Sequence, residues 1–446
     1  MKNIMHSFIL GVFSFLIFIL SINGTMALRN TLAVVLLVSL ITLVIRGQAN
    51  LNSIFKNKEF RWILGSLVVF VLYTLFHSIY LSHEMLWSLS EFKSHIFYPF
   101  LYFLMGVSLA SYVSKSEKIT KETLITILFY SIFIHILYID LVAIDKLFHD
   151  GVMMRRYGGL MDSPVQPNYL TNILLAMIIA EFVYRLRVKK QILKVSNGVL
   201  YLLLIACIFS TFVEALRLGD IALVFLGIGS SMAFLYKNNQ YSAGIKRLVA
   251  TSLIVILTIP LAYNLNTDPR WGKLIETIPL AMDTSNSMHW LDRSLPAPKT
   301  ESGYEVSGSN YERIAWAMKS IEYIIDKPHG IGFGRNTFGH AMEMQYPDLA
   351  NRGSHAHSSI LTLAVGTGVI GVFLWLIFVF TVVKASVKEF KLSFSYFSIL
   401  TVFIIMGFVG RSFVDGNMSD HMFLQFMIIL GISVFFLFKE GESEYT

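Results

Sequence analysis

Two histidines stand out among the residues of this sequence whose type and spacing could do chemistry. His355 and His357 are two residues apart at the start of a long apolar stretch. A neutral imidazole near pH 7 is a good general base, and two neighbouring rings also suggest a zinc site. No HExxH sequence and no further cluster of His and Cys accompanies the pair, which disfavours zinc. His357 could also be an ordinary interfacial residue or a helix cap.

Arg217 occupies an unusual position for an arginine. It lies in a very short turn, 215–220, between two apolar stretches. The planar guanidinium binds phosphate oxygens through two hydrogen bonds and keeps its proton, so Arg217 suits an anion site for a diphosphate. The alternative is an ion pair with Glu214, three residues before it, or with Asp220, three residues after it.

Three further arginines share this chemistry. Arg155 and Arg156 follow the fifth apolar stretch, and Arg313 lies in a long polar segment. Each is a candidate for phosphate binding. The ordinary alternatives are interfacial anchors for Arg155 and Arg156, and a solvated helix charge beside Glu312 for Arg313.

The elements that must position these residues are membrane helices. Hydrophobic residues make up 55% of the 446 residues and charged residues only 15%, whereas an ordinary soluble domain has about 25% charged residues. This composition excludes a disordered protein and disfavours a large soluble enzyme. We predict an all-α polytopic membrane protein with about 12 transmembrane helices. The apolar stretches run roughly over 5–22, 30–45, 62–81, 97–114, 123–147, 167–184, 197–214, 218–236, 248–264, 357–383, 392–410 and 421–438.

The distribution of basic residues predicts the orientation of these helices. One set of alternate short loops contains 18 Lys and Arg, and the opposite set contains six. Cytoplasmic loops are enriched in Lys and Arg, so the first set is predicted to be cytoplasmic. Both termini then lie in the cytoplasm, and the histidines and arginines named above lie on the outer side.

One outer segment is much longer than the others. Residues 265–356 form a 92-residue loop, long enough to have its own structure. It divides the chain into helices 1–9 over residues 1–264, the loop domain over 265–356, and helices 10–12 with a cytoplasmic tail over 357–446. Its nine basic and eleven acidic residues do not form a patch for nucleic acid.

Within this loop, residues 311–326 predict an amphipathic helix. Apolar residues recur there at helical spacing, so the helix is expected to lie on the membrane or over the mouth of the bundle. Lys319 and Glu322 are predicted on the opposite, solvated face. A glycine-rich turn, 330–334, follows the helix. The predicted apolar stripe consists of Ile314, Ala317, Met318, Ile321 and Ile325.

The stretch that begins at the second histidine resembles the signature of the O-antigen ligase family. That signature is His, then Asn, Ser or Gln, nine residues, Gly, two residues, and Gly, Thr or Tyr. The four fixed positions are matched by His357, Ser358, Gly368 and Gly371. The two glycines are expected to let a neighbouring helix or a lipid tail approach closely.

Three other blocks of the sequence add to this resemblance. The sequence from Arg313 through Trp316 to the glycine turn is similar to the family's region before the histidine. Arg217 resembles the family's arginine after the middle spans, although Leu216 stands where a serine is usual. The sequence Arg156-Tyr-Gly-Gly, with Pro167-Asn168 after it, is similar to a further block.

The resemblance implies an inverting, metal-independent glycosyltransferase of the GT-C type that needs no cofactor. Such an enzyme moves O-antigen from undecaprenyl diphosphate to a sugar hydroxyl of lipid A–core, on the periplasmic face of the bacterial inner membrane. Its partners would be this lipid-linked donor, the lipid A–core acceptor and membrane lipid. The resemblance implies that His357 is catalytic, and that substrate is bound by Arg217, Arg313, Arg156, His355 and Arg155.

Other functions stay open at the level of sequence. An O-antigen polymerase and a protein O-oligosaccharyltransferase share this architecture and differ in the acceptor. A lipid-linked oligosaccharide flippase also has about twelve spans, but it does not need an outer loop of 92 residues.

Overall fold

The computed structural model describes residues 2–49, 51–161, 163–237, 240–267, 270–306, 308–348, 355–419 and 421–443. These residues are mainly helical, and an isolated β-bridge joins Lys299 to Glu305. A short π-helix, Lys93–Phe97, lies between the fifth and the sixth α-helix. The helices are α1 (Lys2–Ile19), α2 (Met26–Ile45), α3 (Leu51–Lys56), α4 (Lys58–Tyr80), α5 (Met85–Phe92), α6 (Tyr98–Lys115), α7 (Lys121–Asp150), α8 (Val165–Val188), α9 (Asn197–Glu214), α10 (Arg217–Leu235), α11 (Ala243–Thr267), α12 (Arg270–Met282), α13 (Gly308–Asp326), α14 (Thr337–Gln345), α15 (Ser359–Ser393), α16 (Tyr396–Ser412) and α17 (His421–Ser443).

The apolar stretches found in the sequence all fall on helices. In the described part of the chain, nine helices are long and apolar enough to cross a membrane. Two shorter apolar helices, Met5–Ile19 and Tyr396–Ser412, fall on the first and eleventh predicted stretches, and α11 covers the ninth. The structure agrees with an all-α polytopic membrane protein, and the number of twelve spans stays a prediction.

The centre of the bundle is α17. In its most apolar stretch of 18 residues, 94% of the residues are buried. It packs against α6 at two glycines that face each other's backbone. A Cβ on Gly106 would lie 2.2 Å from the carbonyl oxygen of Ile428, and one on Gly431 would lie 2.3 Å from that of Phe103. Small residues at such crossings let two membrane helices pack backbone to backbone.

The long segment between α11 and α15 forms a second hydrophobic cluster. Its largest buried side chains are Trp290, Trp316, Tyr311 and Tyr323. Val365 of α15 belongs to the same cluster. The segment is therefore packed onto the helix that follows the two histidines.

The helix predicted over 311–326 is present as α13, but the predicted packing face is wrong. Ile321 is 45% exposed and Ile325 is 73% exposed, while Ile314 and Met318 are half-buried. Lys319 is buried, not solvated, and its ammonium group lies 5.9 Å from the Trp290 ring. The residues that α13 buries are Tyr311, Glu312, Ala315, Trp316, Lys319, Ser320 and Tyr323.

Aromatic side chains explain this difference. Tyr311, Trp316 and Tyr323 also recur at helical spacing, and each buries more apolar surface than an isoleucine does. The indole of Trp316 finds a partner inside the cluster, because its N–H donates to the carbonyl oxygen of Trp290 at 2.9 Å. Ile321 and Ile325 of the aliphatic stripe are thereby left on the outer surface of the helix.

Candidate functional site

His357 lies just outside the first turn of α15. Ser358 is the N-cap of this helix: its hydroxyl accepts a hydrogen bond from the Leu361 amide at 3.3 Å and donates one to the carbonyl oxygen of Ser412 at 3.2 Å. The helix therefore begins two residues after His357. The φ of His357 is 49°, in the left-handed region that non-glycine residues seldom adopt. Backbone strain of this kind is concentrated at functional sites.

Two aromatic neighbours fix the ring of His357. The ring stacks on Trp316 with centroids 5.4 Å apart and planes 16° apart, and His355 meets it edge-on at 3.9 Å. Among the described residues, no hydrogen bond engages either nitrogen of the His357 ring. A substrate hydroxyl could therefore use one of them.

The surroundings of His357 keep its ring neutral. Burial is the main cause that lowers the pKa of His357 to about 3, and electrostatic interactions with His355, Arg313 and Arg293 contribute to the lowering. The ring is unprotonated above its pKa, so it can accept a proton across the physiological range. An anion bound beside these arginines would oppose their field and raise the pKa of His357, which would make it a stronger base.

Two further arginines lie close enough to act on the histidine rings: Arg293 lowers the pKa of His357, and Arg335 lowers that of His355. Arg313 is exposed on α13. Arg293 forms two hydrogen bonds with the buried Glu312, at 2.5 and 2.7 Å, and its side chain is still 76% exposed. Glu312 thus pairs with Arg293.

His355 has a mixed environment. Burial lowers its pKa, Arg335 and Arg313 lower it as well, and the carboxylate of Asp415 raises it. Its buried Nδ1 has no hydrogen-bond partner among the described residues. The two rings and the three arginines that act on them form a group that we call the histidine site and define as Arg293, Arg313, Arg335, His355 and His357.

The other predicted arginines lie at the turn between α9 and α10. Arg217 is the first residue of α10, and its side chain lies outside the described part of the chain. The amide of Arg156 donates to the carbonyl oxygen of Val213 at 2.8 Å, which ties the segment after α7 to the end of α9. Arg155 is exposed, and its Nη2 lies 3.5 Å from the hydroxyl of Tyr263. The structure therefore brings Arg155 and Arg156 to the turn that carries Arg217.

Glu214 fixes this turn against α8. It is fully buried, and it accepts hydrogen bonds from the Asn168 amide at 2.8 Å and from the Thr171 hydroxyl at 2.6 Å. The first turn of α10 also packs closely on Asn168, because a Cβ on Gly219 would lie 2.3 Å from its amide nitrogen. Both carboxylate oxygens of Glu214 are thus bound by neutral donors. The alternative of an ion pair between Arg217 and Glu214 or Asp220 depends on the Arg217 side chain, which lies outside the described part of the chain.

Arg411 connects this turn to the histidine site. Its buried guanidinium donates to the Asn168 side-chain oxygen at 3.2 Å and to the Asp415 carboxylate at 2.7 Å. The carbonyl oxygen of Asp415 accepts a hydrogen bond from the Ser359 amide at 2.9 Å, at the start of α15. A continuous polar network therefore joins Glu214, beside the Arg217 turn, to the helix that follows His357.

A break in α15 holds the outer segment in place. Gly368 has φ 69° and ψ −175°, which interrupts the helix. The loop 328–332 enters the break and forms three backbone hydrogen bonds with α15. These bonds satisfy polar groups that the break would otherwise leave unpaired in an apolar environment. They join the Ile331 amide to the Val365 oxygen (3.0 Å), the Gly332 amide to the Gly366 oxygen (2.9 Å) and the Val369 amide to the Pro328 oxygen (3.1 Å).

The contact at this break requires glycine on both sides. A Cβ on Gly368 would lie 2.3 Å from the carbonyl oxygen of Pro328, and one on Gly330 would lie 2.5 Å from that of Gly366. The expected close approach at Gly368 is therefore made by this loop, not by a helix or a lipid tail. The nine residues between Ser358 and Gly368 form a helical segment of about 13 Å, which sets the distance from His357 to the break.

A small cavity of 250 Å³ lies on the other side of the loop, between α5 and α14. Trp87 and His340 stack there with centroids 4.1 Å apart, and His340 Nδ1 lies 3.5 Å from the Glu84 carboxylate. The described residues contain no group of three or more His, Cys, Asp or Glu arranged to hold a metal ion.

Five residues of the histidine site and of the polar network beside it are not among the predicted site residues: Arg293, Arg335, Asn168, Glu214 and Arg411. Arg293 and Arg335 lie in irregular parts of the long segment, where periodicity gives no indication of direction. Asn168 stands in a block that the resemblance had already singled out, and this was the available signal.

Part of the chain matches a known protein family. Residues 199–376 match the family model described as O-antigen ligase, which confirms the resemblance seen in the sequence. The matched region extends from α9 past the break in α15, and it includes every predicted site residue except Arg155 and Arg156. No curated protein matches the chain.

Proposed function

We propose that this chain, whose residues 199–376 match the O-antigen ligase family, is a multi-pass glycosyltransferase. It transfers O-antigen polysaccharide from undecaprenyl diphosphate to a sugar hydroxyl of lipid A–core, at the periplasmic face of the bacterial inner membrane. In this proposal the chain crosses the membrane twelve times in a GT-C arrangement, with both termini in the cytoplasm and residues 265–356 in the periplasm. The family match supports a role in O-antigen processing, and the unequal distribution of Lys and Arg supports the orientation.

The proposed reaction is a single displacement that inverts the anomeric carbon. The acceptor hydroxyl oxygen attacks this carbon from the side opposite the diphosphate, and His357 accepts the hydroxyl proton. The bond from the anomeric carbon to the diphosphate oxygen breaks, and its electron pair leaves with the diphosphate. Diphosphate is a good leaving group, so the reaction needs no general acid.

Arginines neutralise the charge that develops on the leaving diphosphate. Arg313 and Arg293 contribute from the histidine site, and Arg217 and Arg156 contribute from the α9–α10 turn. Fixed positive groups that face developing negative charge are commonly the largest contribution to catalysis. Guanidinium groups keep their charge at any working pH, so they fill the role that a metal ion has in other glycosyltransferases.

The environment of His357 is the observation that carries the proposal. Its ring is buried against Trp316, neutral, and close to the positive charges of Arg313 and Arg293. A base and an anion-binding surface are thus adjacent, as an attack on a diphosphate-linked sugar requires. The polar network from Glu214 to Ser359 supports a contribution from the Arg217 turn to the same reaction.

The test is the lipopolysaccharide profile of a strain that lacks this gene. We expect the core without polymer, together with polymer that accumulates on the lipid carrier. Core that carries a single repeat unit would instead identify a polymerase, and an unchanged ladder with unglycosylated protein would identify a protein O-oligosaccharyltransferase.

A further inference from the structure

A groove runs between α4 and α15 at the end of the bundle opposite the histidine site. The Lys58 end of α4 borders this groove. The other end of α4, at Tyr80, lies near the loop 328–332, since the His83 amide donates to the Ile331 oxygen at 2.7 Å. The groove has a volume of 610 Å³, and its apolar lining includes Trp62, Gly65, Val69, Leu374 and Ile377.

Polar contacts join α4 to α15 beside the groove. The hydroxyl groups of Ser66 and Thr381 lie 3.1 Å apart and join the two helices. Lys388 of α15 forms an ion pair with Glu59 near the Lys58 end. Gly65 leaves the groove wide, because a Cβ there would meet nothing within 4 Å.

Two exposed cations stand at the mouth of the groove. Lys58 and Arg61 both line it, and in the described part of the chain neither side chain takes part in a hydrogen bond or an ion pair. The neighbouring carboxylate of Glu59 is engaged by Lys388. Trp62 beside them is 64% exposed, and tryptophan is enriched at the boundary between hydrocarbon and headgroups. The mouth is therefore complementary to an anionic headgroup.

The length of the groove matches one leaflet of a bilayer. Lys58 and Val69 are eleven residues apart on α4, which corresponds to about 16 Å along the helix axis. The hydrocarbon core of a bilayer is about 30 Å thick, so the groove spans roughly half of it. An acyl chain from the near leaflet fits this length, and a water-soluble ligand would not enter hydrocarbon.

We propose that this groove binds an anionic phospholipid from the leaflet opposite the histidine site. Lys58 and Arg61 hold the phosphate, and one acyl chain lies along Gly65 between α4 and α15. Basic residues at the mouth of an intramembrane groove are a common way to select anionic headgroups. The site is separate from the proposed catalytic residues, and it does not depend on the proposed reaction.

The test measures contact between brominated lipid and Trp62 in the purified full-length chain. The chain is reconstituted in phosphatidylcholine bilayers, and either phosphatidylglycerol or phosphatidylcholine with brominated acyl chains is titrated in. Bromine quenches nearby tryptophan, and the contribution of Trp62 is the difference from the Trp62→Phe variant. Each cation near the headgroups favours an anionic lipid. We therefore expect brominated phosphatidylglycerol to reach half-maximal quenching at a mole fraction about tenfold lower than brominated phosphatidylcholine does. Equal midpoints for the two lipids would overturn the proposal.

Matched variants separate this site from general charge effects. Lys58→Gln with Arg61→Gln should abolish the preference for phosphatidylglycerol. Lys189→Gln with Lys190→Gln removes the same charge after α8, at the same end of the bundle, and should leave the preference intact. The proposal fails if the first pair retains the preference or if the second pair loses it.

A second pair of variants tests the apolar part of the groove. Gly65→Leu fills it and should reduce the quenching of Trp62 several-fold. Gly11→Leu makes the same change on α1, also where a Cβ meets nothing within 4 Å, and should have no effect. Unchanged quenching in Gly65→Leu would show that no acyl chain occupies the groove.

Discussion

His357 is held in position by packing and kept uncharged by its surroundings. Trp316 covers one face of the ring, and His355 meets its edge. Burial and nearby positive charge both disfavour the imidazolium form. These conditions suit a base that must be neutral before donor binds and that becomes stronger when diphosphate arrives.

We predict that His357→Ala lowers transfer by roughly 10²–10⁴-fold, the usual contribution of a general base. Protein level and helix content should be unchanged. His329→Ala, an exposed histidine on the same side of the molecule, is the matched control and should retain activity. Polymer-capped lipopolysaccharide at a normal level in the His357→Ala strain would exclude His357 from the mechanism.

The pH dependence of kcat/KM gives a second measure of this residue. The pKa of His357 in the free enzyme lies near 3, so the ring stays in its basic form as the pH falls through 6.5. We therefore expect no loss of kcat/KM around pH 6–7 that is due to this histidine. A loss with a midpoint near 6.5 that disappears in His357→Ala would contradict this assignment.

Arg217 tests whether the α9–α10 turn binds diphosphate. We predict that Arg217→Lys is impaired about tenfold or more, because an ammonium keeps the charge but loses the two-pronged hydrogen bonding. Arg217→Ala should be worse still. If Arg217 only forms an ion pair, Lys should work nearly as well as Arg in the same transfer assay.

The broken helix α15 is the element that connects the outer segment to the bundle. Loop 328–332 is held at Gly368 by backbone hydrogen bonds and by contact distances that exclude a Cβ. The same element carries Ser358 and, just before it, His357. Its geometry therefore decides where His357 lies relative to Arg313 of α13.

We predict that Gly368→Ala destabilises the protein and lowers transfer. The new Cβ would meet the Pro328 oxygen at 2.3 Å, and the φ of 69° is unfavourable for alanine. Gly407→Ala in α16 is the control, since a Cβ there has open space; helix propensity predicts a small gain of up to about 1 kcal/mol. Melting temperatures in detergent would compare the two, and equal values would contradict the role of Gly368.

The aromatic face of α13 gives a further prediction. Tyr323 is 5% exposed and packs in the second cluster, whereas Ile325 on the same turn is 73% exposed. Tyr323→Ala should lower the stability of the outer segment by about 3 kcal/mol and weaken donor binding, because it loosens the helix that carries Arg313. Ile325→Ala should leave both the stability of the outer segment and donor binding unchanged in detergent. Limited proteolysis of the outer segment would measure the difference, and equal cleavage rates would show that the aromatic face does not hold α13.

The whole molecule is organised around two ends of one bundle. The histidine site, the α9–α10 turn and the glycine loop all lie at one end, and the Lys58 groove lies at the other. The bundle separates them by the length of α4, which has 23 residues. This separation agrees with the proposed orientation, in which the reaction takes place at one face and most of the Lys and Arg of the short loops lie at the opposite face.

Labelling with a membrane-impermeant maleimide tests the proposed orientation. Cys207, the single native cysteine, is buried and should give little background. We predict that Tyr304→Cys, at a position 65% exposed in the outer segment, reacts once the outer membrane is opened. Lys190→Cys, exposed after α8, should react only after the inner membrane is broken. The reverse pattern would place the histidine site in the cytoplasm and refute a periplasmic reaction.

The sequence alone determined which segments are helical. Apolar stretches must pair their own backbone groups in lipid, so their positions were predicted without tertiary information. The helix at 311–326 was also visible, because amphipathic spacing is a local property. The four fixed positions of the motif, which begins at His357, are also a local pattern and can be found in the sequence alone. The cap at Ser358 and the break at Gly368 now explain their spacing.

Which face of α13 is buried, and which residues meet at the site, depends on how distant segments pack together. Ile321 and Tyr323 lie on two different apolar stripes of the same helix, and either stripe could be buried. Tyr323 is the buried one because the second hydrophobic cluster packs around the aromatic stripe. Arg293 and Arg411 are distant in sequence from the histidines, and no local pattern predicts long-range contacts of this kind. Arg411 is buried because Asn168 and Asp415 satisfy its hydrogen bonds, and such mutual satisfaction exists only when three separate segments fold together.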